Sequence, residues 1–137
     1  MKRREFLKSA LIASGIFTVL TAFPRKVVAA SSYLDGIIYT KNNEGKWKGK
    51  SGSHVPVIVI NGTSVTVTTE HVMTQEHYIV KHTLVSQTGE VIGDKTFYIP
   101  TDKKASSTFE LPKGYKGKLY ATSFCNKHDL WLAEANI

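Results

Sequence analysis

Cys125 is the only cysteine in the chain, and it stands in Cys125-Asn126-Lys127-His128-Asp129-Leu130-Trp131, close to the C-terminus. A lone thiol has no partner within the chain for a disulfide, which points to another use for it. Simple burial is the plainer alternative. Four of the five histidines, His54, His71, His77 and His128, fall at compatible places along the sequence. One thiolate with several imidazoles is a donor set for a transition metal. The Cys-x-x-His spacing of Cys125 and His128 also lets a single turn present two donors to one ion.

Such donors must be gathered by the elements that carry them. Gly36–Tyr39 predicts a short strand, followed by a mobile loop rich in glycine and lysine up to Ser53. Val55-Pro56-Val57-Ile58-Val59-Ile60 is an apolar, β-branched run ending in the turn signal Asn61-Gly62. Thr63 to Thr69 alternates valine with Thr or Ser, the period of a half-buried strand. Further strands are expected at Tyr78–Ser86, Val91–Ile99, Ser106–Leu111 and Gly117–Phe124. No convincing amphipathic helix follows residue 30. About seven short strands with frequent turns predict an all-β sandwich. On that map His54 begins a strand, His71 ends one, His77 begins the next, and Cys125 and His128 lie just past the last. A sandwich collects its loops at its two ends, so residues at strand ends can converge. His82 lies inside a strand without a matching neighbour and is left out of the set.

The chain has 137 residues and a formal net charge of +7. Residues 1–30 hold six Lys/Arg and one Glu, so most of that charge belongs to the N-terminal segment. Residues 31–137 hold twelve Lys/Arg against ten Asp/Glu, a balance that gives no argument for nucleic acid. The segment opens with Lys2-Arg3-Arg4-Glu5-Phe6-Leu7-Lys8, runs through an apolar stretch from Ala10 to Phe23, and ends in Val28-Ala29-Ala30. This is the build of a secretory signal cleaved after about Ala30, and its start resembles the twin-arginine pattern. An uncleaved anchor or a buried helix is the alternative. The expectation is a periplasmic domain over residues 31–137. An oxidising compartment makes a free exposed thiol a liability, which metal ligation or burial would remove.

The three donor segments together resemble the superoxide reductase family, the neelaredoxins and the iron-centre domain of desulfoferrodoxins. His54-Val55-Pro56-Val57-Ile58 matches the family's His-Val-Pro-Val-Ile. His71-Val72-Met73-Thr74-Gln75-Glu76-His77-Tyr78-Ile79 matches its His-Pro-Met-x-x-Glu-His-Tyr-Ile, with valine for proline. The C-terminal motif matches Cys-Asn-x-His-Gly-Leu-Trp, with Asp129 for glycine. The resemblance covers roughly residues 33–137 and implies an immunoglobulin-like β-sandwich. It implies one iron ion per chain, with His54, His71, His77 and His128 as equatorial ligands and Cys125 as the axial thiolate. The four cysteines of the desulfoferrodoxin N-terminal iron module have no counterpart here, so the one-iron type is implied. The implied activity is one-electron reduction of superoxide to hydrogen peroxide, fed by an external donor such as a periplasmic cytochrome or a rubredoxin-like protein. Family members often form dimers or tetramers, and the oligomeric state is left open.

Two departures qualify the activity. The family's Glu-Lys before the first histidine is Gly52-Ser53 here, so both the glutamate that can occupy the sixth iron position and the lysine that attracts superoxide are missing. Lys46, Lys48 and Lys50 are candidates to replace that lysine, although loop lysines are ordinarily solvated. Ser53 is placed to hydrogen-bond a bound oxygen species, Asp129 to tune the iron or repel superoxide, and Trp131, Tyr78 and Phe124 to shield the site or to pack the core. The alternatives are a non-enzymatic iron protein (electron carrier or small-ligand sensor), a zinc-binding or structural domain, and, remotely, a Cys–His nucleophile pair.

Overall fold

The computed structural model describes residues 33–137, so the expected export signal lies outside the described residues. Among the described residues eight strands form: β1 (Ile38–Tyr39), β2 (Val57–Asn61), β3 (Ser64–Thr69), β4 (Ile79–Ser86), β5 (Val91–Thr96), β6 (Ala105–Glu110), β7 (Lys118–Cys125) and β8 (Asp129–Asn136). They make two sheets, one of five strands in the order β1-β8-β7-β4-β5 and one of three in the order β2-β3-β6. Every pairing is antiparallel except β1 with β8, which run parallel. The expected all-β sandwich is therefore the fold, with eight strands rather than about seven.

The alternation seen in the sequence is what closes the two sheets. Val65 and Val67 of β3 point inward and meet Leu84 of β4 with Leu119 and Ala121 of β7, all without solvent exposure. The threonines between them face outward and pair across the sheet, Thr66 with Thr108 and Thr68 with Ser106. Period two thus buries one face and solvates the other. At the β5–β6 edge the sheets approach so closely that a Cβ on Gly93 would stand 2.6 Å from the Phe109 ring. The β2–β3 connection needs Gly62 at φ +63°, left-handed backbone that glycine adopts without steric cost.

Two expectations are corrected. The strand before Cys125 is not the last: Cys125 ends β7, and β8 starts at Asp129, so the Cys-x-x-His segment is the hairpin between them. Leu, Ala and Glu in β8 carry little strand propensity. Its pairing with β7 on one side and β1 on the other decides its state. The lysine-rich loop is not free either. It holds a 3-10 turn at Gly45–Trp47 and a helical turn at Ser51–His54, and His54 ends that turn instead of starting a strand. The Glu44 carboxylate accepts the Ser51 N–H at 3.0 Å and folds the segment back on itself. Backbone N–H groups of Ser51, Gly49 and Lys50 hold the Glu44 carboxyl below its ordinary range.

Candidate metal centre

Five side chains from three segments meet at one end of the sandwich: His54 from the helical turn, His71 and His77 from the β3–β4 loop, and Cys125 and His128 from the β7–β8 hairpin. Their donor atoms all lie within 4.8 Å of one another. Four ring nitrogens form a closed circuit. His54 Nε2 is 3.1 Å from His71 Nε2, which is 3.0 Å from His77 Nε2. His128 Nδ1 is 3.0 Å from both His77 Nε2 and His54 Nε2. Neighbouring rings have centroids 4.4–4.8 Å apart, whereas His54 and His77, across the circuit, are 6.0 Å apart. The nitrogens thus outline a near-square whose centre lies about 2.1 Å from each corner, the ordinary length of a metal–imidazole bond. The Cys125 Sγ approaches His71 Nε2 at 3.5 Å and His128 Nδ1 at 3.6 Å and completes the set.

Hydrogen bonding on the outer side of two rings decides what the inner side can be. His54 Nδ1 donates to the Lys50 carbonyl at 2.9 Å, and His71 Nδ1 donates to the Val72 carbonyl. A carbonyl only accepts, so each Nδ1 carries the proton and each Nε2 presents a lone pair. Two lone pairs then face each other across 3.1 Å, an arrangement that a cation between them makes favourable and that no hydrogen bond satisfies. Burial pushes the His54 pKa down to about 4, and the other three imidazoles are shifted in the same direction by the same cause. All four rings are therefore neutral and available as donors near neutral pH. Burial pushes the Cys125 thiol up, against N–H groups of Lys127 and His128 that hydrogen-bond the sulfur and favour the thiolate. A metal ion bound there would displace that remaining proton.

The shell around the five donors is only partly as expected. Trp131 is fully buried, lies 5.5 Å from His54 and 5.5 Å from Tyr39, and donates its Nε1–H to the His128 carbonyl at 2.8 Å. Phe124 does not shield the site: it is 42% exposed, on the face of β7 opposite to Cys125. Tyr78 takes part through its backbone, as described below. Ser53 Oγ sits 2.9 Å from His54 Nδ1, on the outer side of the ring and away from the circuit. Asp129 does not aim at the donors; it accepts the Trp47 Nε1–H at 3.0 Å and pairs with Lys46 at 3.3 Å. Trp47, whose ring meets His128 edge to face at 4.7 Å, carries no local sequence signal beyond the lysines around it. Asn126 has a role that spacing alone does not reveal: its Oδ1 accepts the Tyr78 N–H and its Nδ2 donates to the Glu76 carbonyl, both at 3.0 Å. Its place beside Cys125 was the one available signal. His82 belongs to the core, with Nε2 on Thr69 Oγ1 and Nδ1 on Ser107 Oγ, each at 2.8 Å.

The chain matches the desulfoferrodoxin family profile over residues 44–134, a span that includes all five donors. It belongs to the desulfoferrodoxin family. Solved structures of similar proteins agree with this membership. A variant of the superoxide reductase (neelaredoxin) from Ignicoccus hospitalis is 27% identical, with 73% of this chain and 92% of that one covered and a TM-score of 0.60. A hypothetical protein from Pyrococcus horikoshii OT3 is 31% identical, covering 65% and 92%, with a TM-score of 0.56. A variant of the superoxide reductase (neelaredoxin) from Archaeoglobus fulgidus, in its reduced form, is 30% identical, covering 62% and 89%, with a TM-score of 0.55. No curated protein sequence matches the chain. As a desulfoferrodoxin-family member the protein has a His/Cys cluster that could bind a metal on a superoxide-reductase-like fold.

Proposed function

We propose that this protein is an exported superoxide reductase that holds one iron ion with His54, His71, His77, His128 and Cys125. The near-square of ring nitrogens carries the reading. A tetrahedral zinc site takes four ligands with all pairs equally spaced, whereas here one ring pair is clearly across the circuit and a thiol lies to the side. When bound, ferrous iron supplies the single electron that, with two protons from solvent, converts superoxide to hydrogen peroxide. The chain does the rest. Carbonyls of Lys50 and Val72 fix two imidazoles as neutral donors, and N–H groups of Lys127 and His128 support the thiolate. The thiolate is the only charged donor in the set, and its electron density favours passing charge to the substrate. Lys50 and Lys127 lie close enough for their charges to act on His77 and His128, which gives an anion a favourable approach. Asp129 is engaged by Lys46 and Trp47, so its charge is partly offset. An external one-electron donor, a small cytochrome or rubredoxin-like protein, would restore the ferrous state. The charged and apolar build of residues 1–30 supports export with later cleavage near Ala30.

The second reading is a non-enzymatic iron protein, an electron carrier or small-ligand sensor. Gly52-Ser53 in place of Glu-Lys before His54 favours it. Rapid mixing of the reduced, iron-loaded protein with superoxide separates the two. Fast iron oxidation with one peroxide formed per iron is the expected result. A fully loaded site that reacts slowly or not at all would overturn the enzymatic reading and leave the carrier or sensor.

A further inference from the structure

Asp129 is the one non-glycine residue with positive φ among the described residues, at +63°. A side chain in left-handed backbone is disfavoured, although Asp and Asn tolerate it best. Its side chain makes two contacts with the lysine-rich segment. Asp129 Oδ2 accepts the Trp47 Nε1–H at 3.0 Å across 82 residues of sequence, and the same oxygen pairs with Lys46 Nζ at 3.3 Å. The indole so held meets the His128 ring edge to face at 4.7 Å, with an interplanar angle of 87°.

His128 needs such a support more than two of its neighbours do. His54 and His71 are each oriented by a carbonyl on the nitrogen that points away from the circuit. His128 enters the circuit through Nδ1, and no described residue hydrogen-bonds its Nε2. An imidazole that ligates a metal usually has its ring plane set by a partner on the other nitrogen. Here an aromatic contact stands in that place, and an aromatic pair of this geometry has a definite preferred orientation. Glycine at position 129 would relieve the backbone but offer the indole no acceptor.

We propose that Asp129 is a positioning residue: from its left-handed backbone position it holds the Trp47 indole against His128 and so sets the plane of that ring at the metal. The proposal rests on the reading that the five donors hold iron. Asp129 acts through Trp47 and His128 and touches neither the ion nor the substrate. Asparagine at 129 keeps both the backbone tolerance and an oxygen that accepts from the indole, while losing the charge.

The test uses the full chain loaded with iron, in wild-type form and as Asp129→Gly, Asp129→Asn, Trp47→Phe and the Asp129→Gly/Trp47→Phe double variant. Release of iron to a chelator and the electron paramagnetic resonance spectrum of the ferric form are read, together with thermal unfolding of the metal-free proteins. Asp129→Gly is expected to release iron about tenfold faster and to shift the ferric spectrum, as losses of supporting partners around a site do. Its metal-free unfolding should stay within a few degrees of wild type. Asp129→Asn should match wild type within about twofold, and in the Trp47→Phe background Asp129→Gly should add nothing. Wild-type release and spectrum in Asp129→Gly would overturn the proposal. So would an Asp129→Asn variant as impaired as Asp129→Gly, which would make the charge and not the hydrogen bond the cause. A wild-type chain that takes up no iron would overturn the metal reading and this proposal together; a loaded wild type with unaffected variants overturns this proposal alone.

Discussion

Lys50 has two roles at the residue scale that belong to different atoms. Its carbonyl holds His54 Nδ1, while its exposed ammonium acts on His77 and His128 from a distance. Lys50→Ala therefore removes the charge and leaves the hydrogen bond. The capture rate for superoxide at low salt is expected to fall about three- to tenfold, with a shallower salt dependence, because steering by charge is screened. Stopped-flow rates at two ionic strengths check this; an unchanged rate would make Lys50 a solvated bystander and favour the carrier or sensor reading. Of the other candidate lysines, Lys46 is engaged by Asp129.

Two segments must stay in register for the site to exist at the scale of elements: the β3–β4 loop with His71 and His77, and the β7–β8 hairpin with Cys125 and His128. Asn126 fastens one to the other. Its side chain bonds the Tyr78 N–H and the Glu76 carbonyl, and its own N–H donates to the Tyr78 carbonyl at 3.1 Å. Asn126→Ala removes the two side-chain bonds and should cost about 1–2 kcal/mol of stability. The loss should be larger for the iron-loaded protein than for the metal-free one, since bound metal stabilises only the assembled loops. Urea unfolding with and without iron measures both; equal losses would mean that Asn126 supports the fold and not the site.

The whole molecule stores a pH dependence in its interior. His82 is fully buried between Thr69, Ser107 and the edge of Phe97, and burial pushes its pKa down to about 4. In the unfolded chain the ring titrates near 6.5, so between about pH 6.5 and 4 the unfolded state binds more protons. Stability from the neutral ring is complete above pH 6.5 and is lost as pH falls through that window, by about 2 kcal/mol at pH 5. Metal-free wild type should lose that much more stability between pH 7.5 and 5 than His82→Gln, which has no ring to charge. Parallel profiles for the two proteins would show that His82 is protonated without unfolding.

The candidate donor set and the fold class were legible in the sequence because both rest on local patterns. Valine and threonine alternating from Thr63 to Thr69 dictate a half-buried strand wherever they occur, and a lone thiol with four spaced imidazoles carries its own chemistry. What stayed hidden depends on contacts between distant segments. Strand β8 looked like no strand until β7 and β1 paired with it on both sides. The lysine-rich loop read as mobile, because a glycine count does not reveal that Glu44 caps Ser51 or that Trp47 reaches Asp129. Phe124 and Cys125 are neighbours in sequence, yet the pleat sends one to solvent and the other to the core. The sequence by itself determined which residues could offer a donor to a metal. Only the tertiary structure decided that four ring nitrogens form a near-square with the thiol beside it, since that arrangement exists only where three segments far apart in the chain are packed at one end of the sandwich.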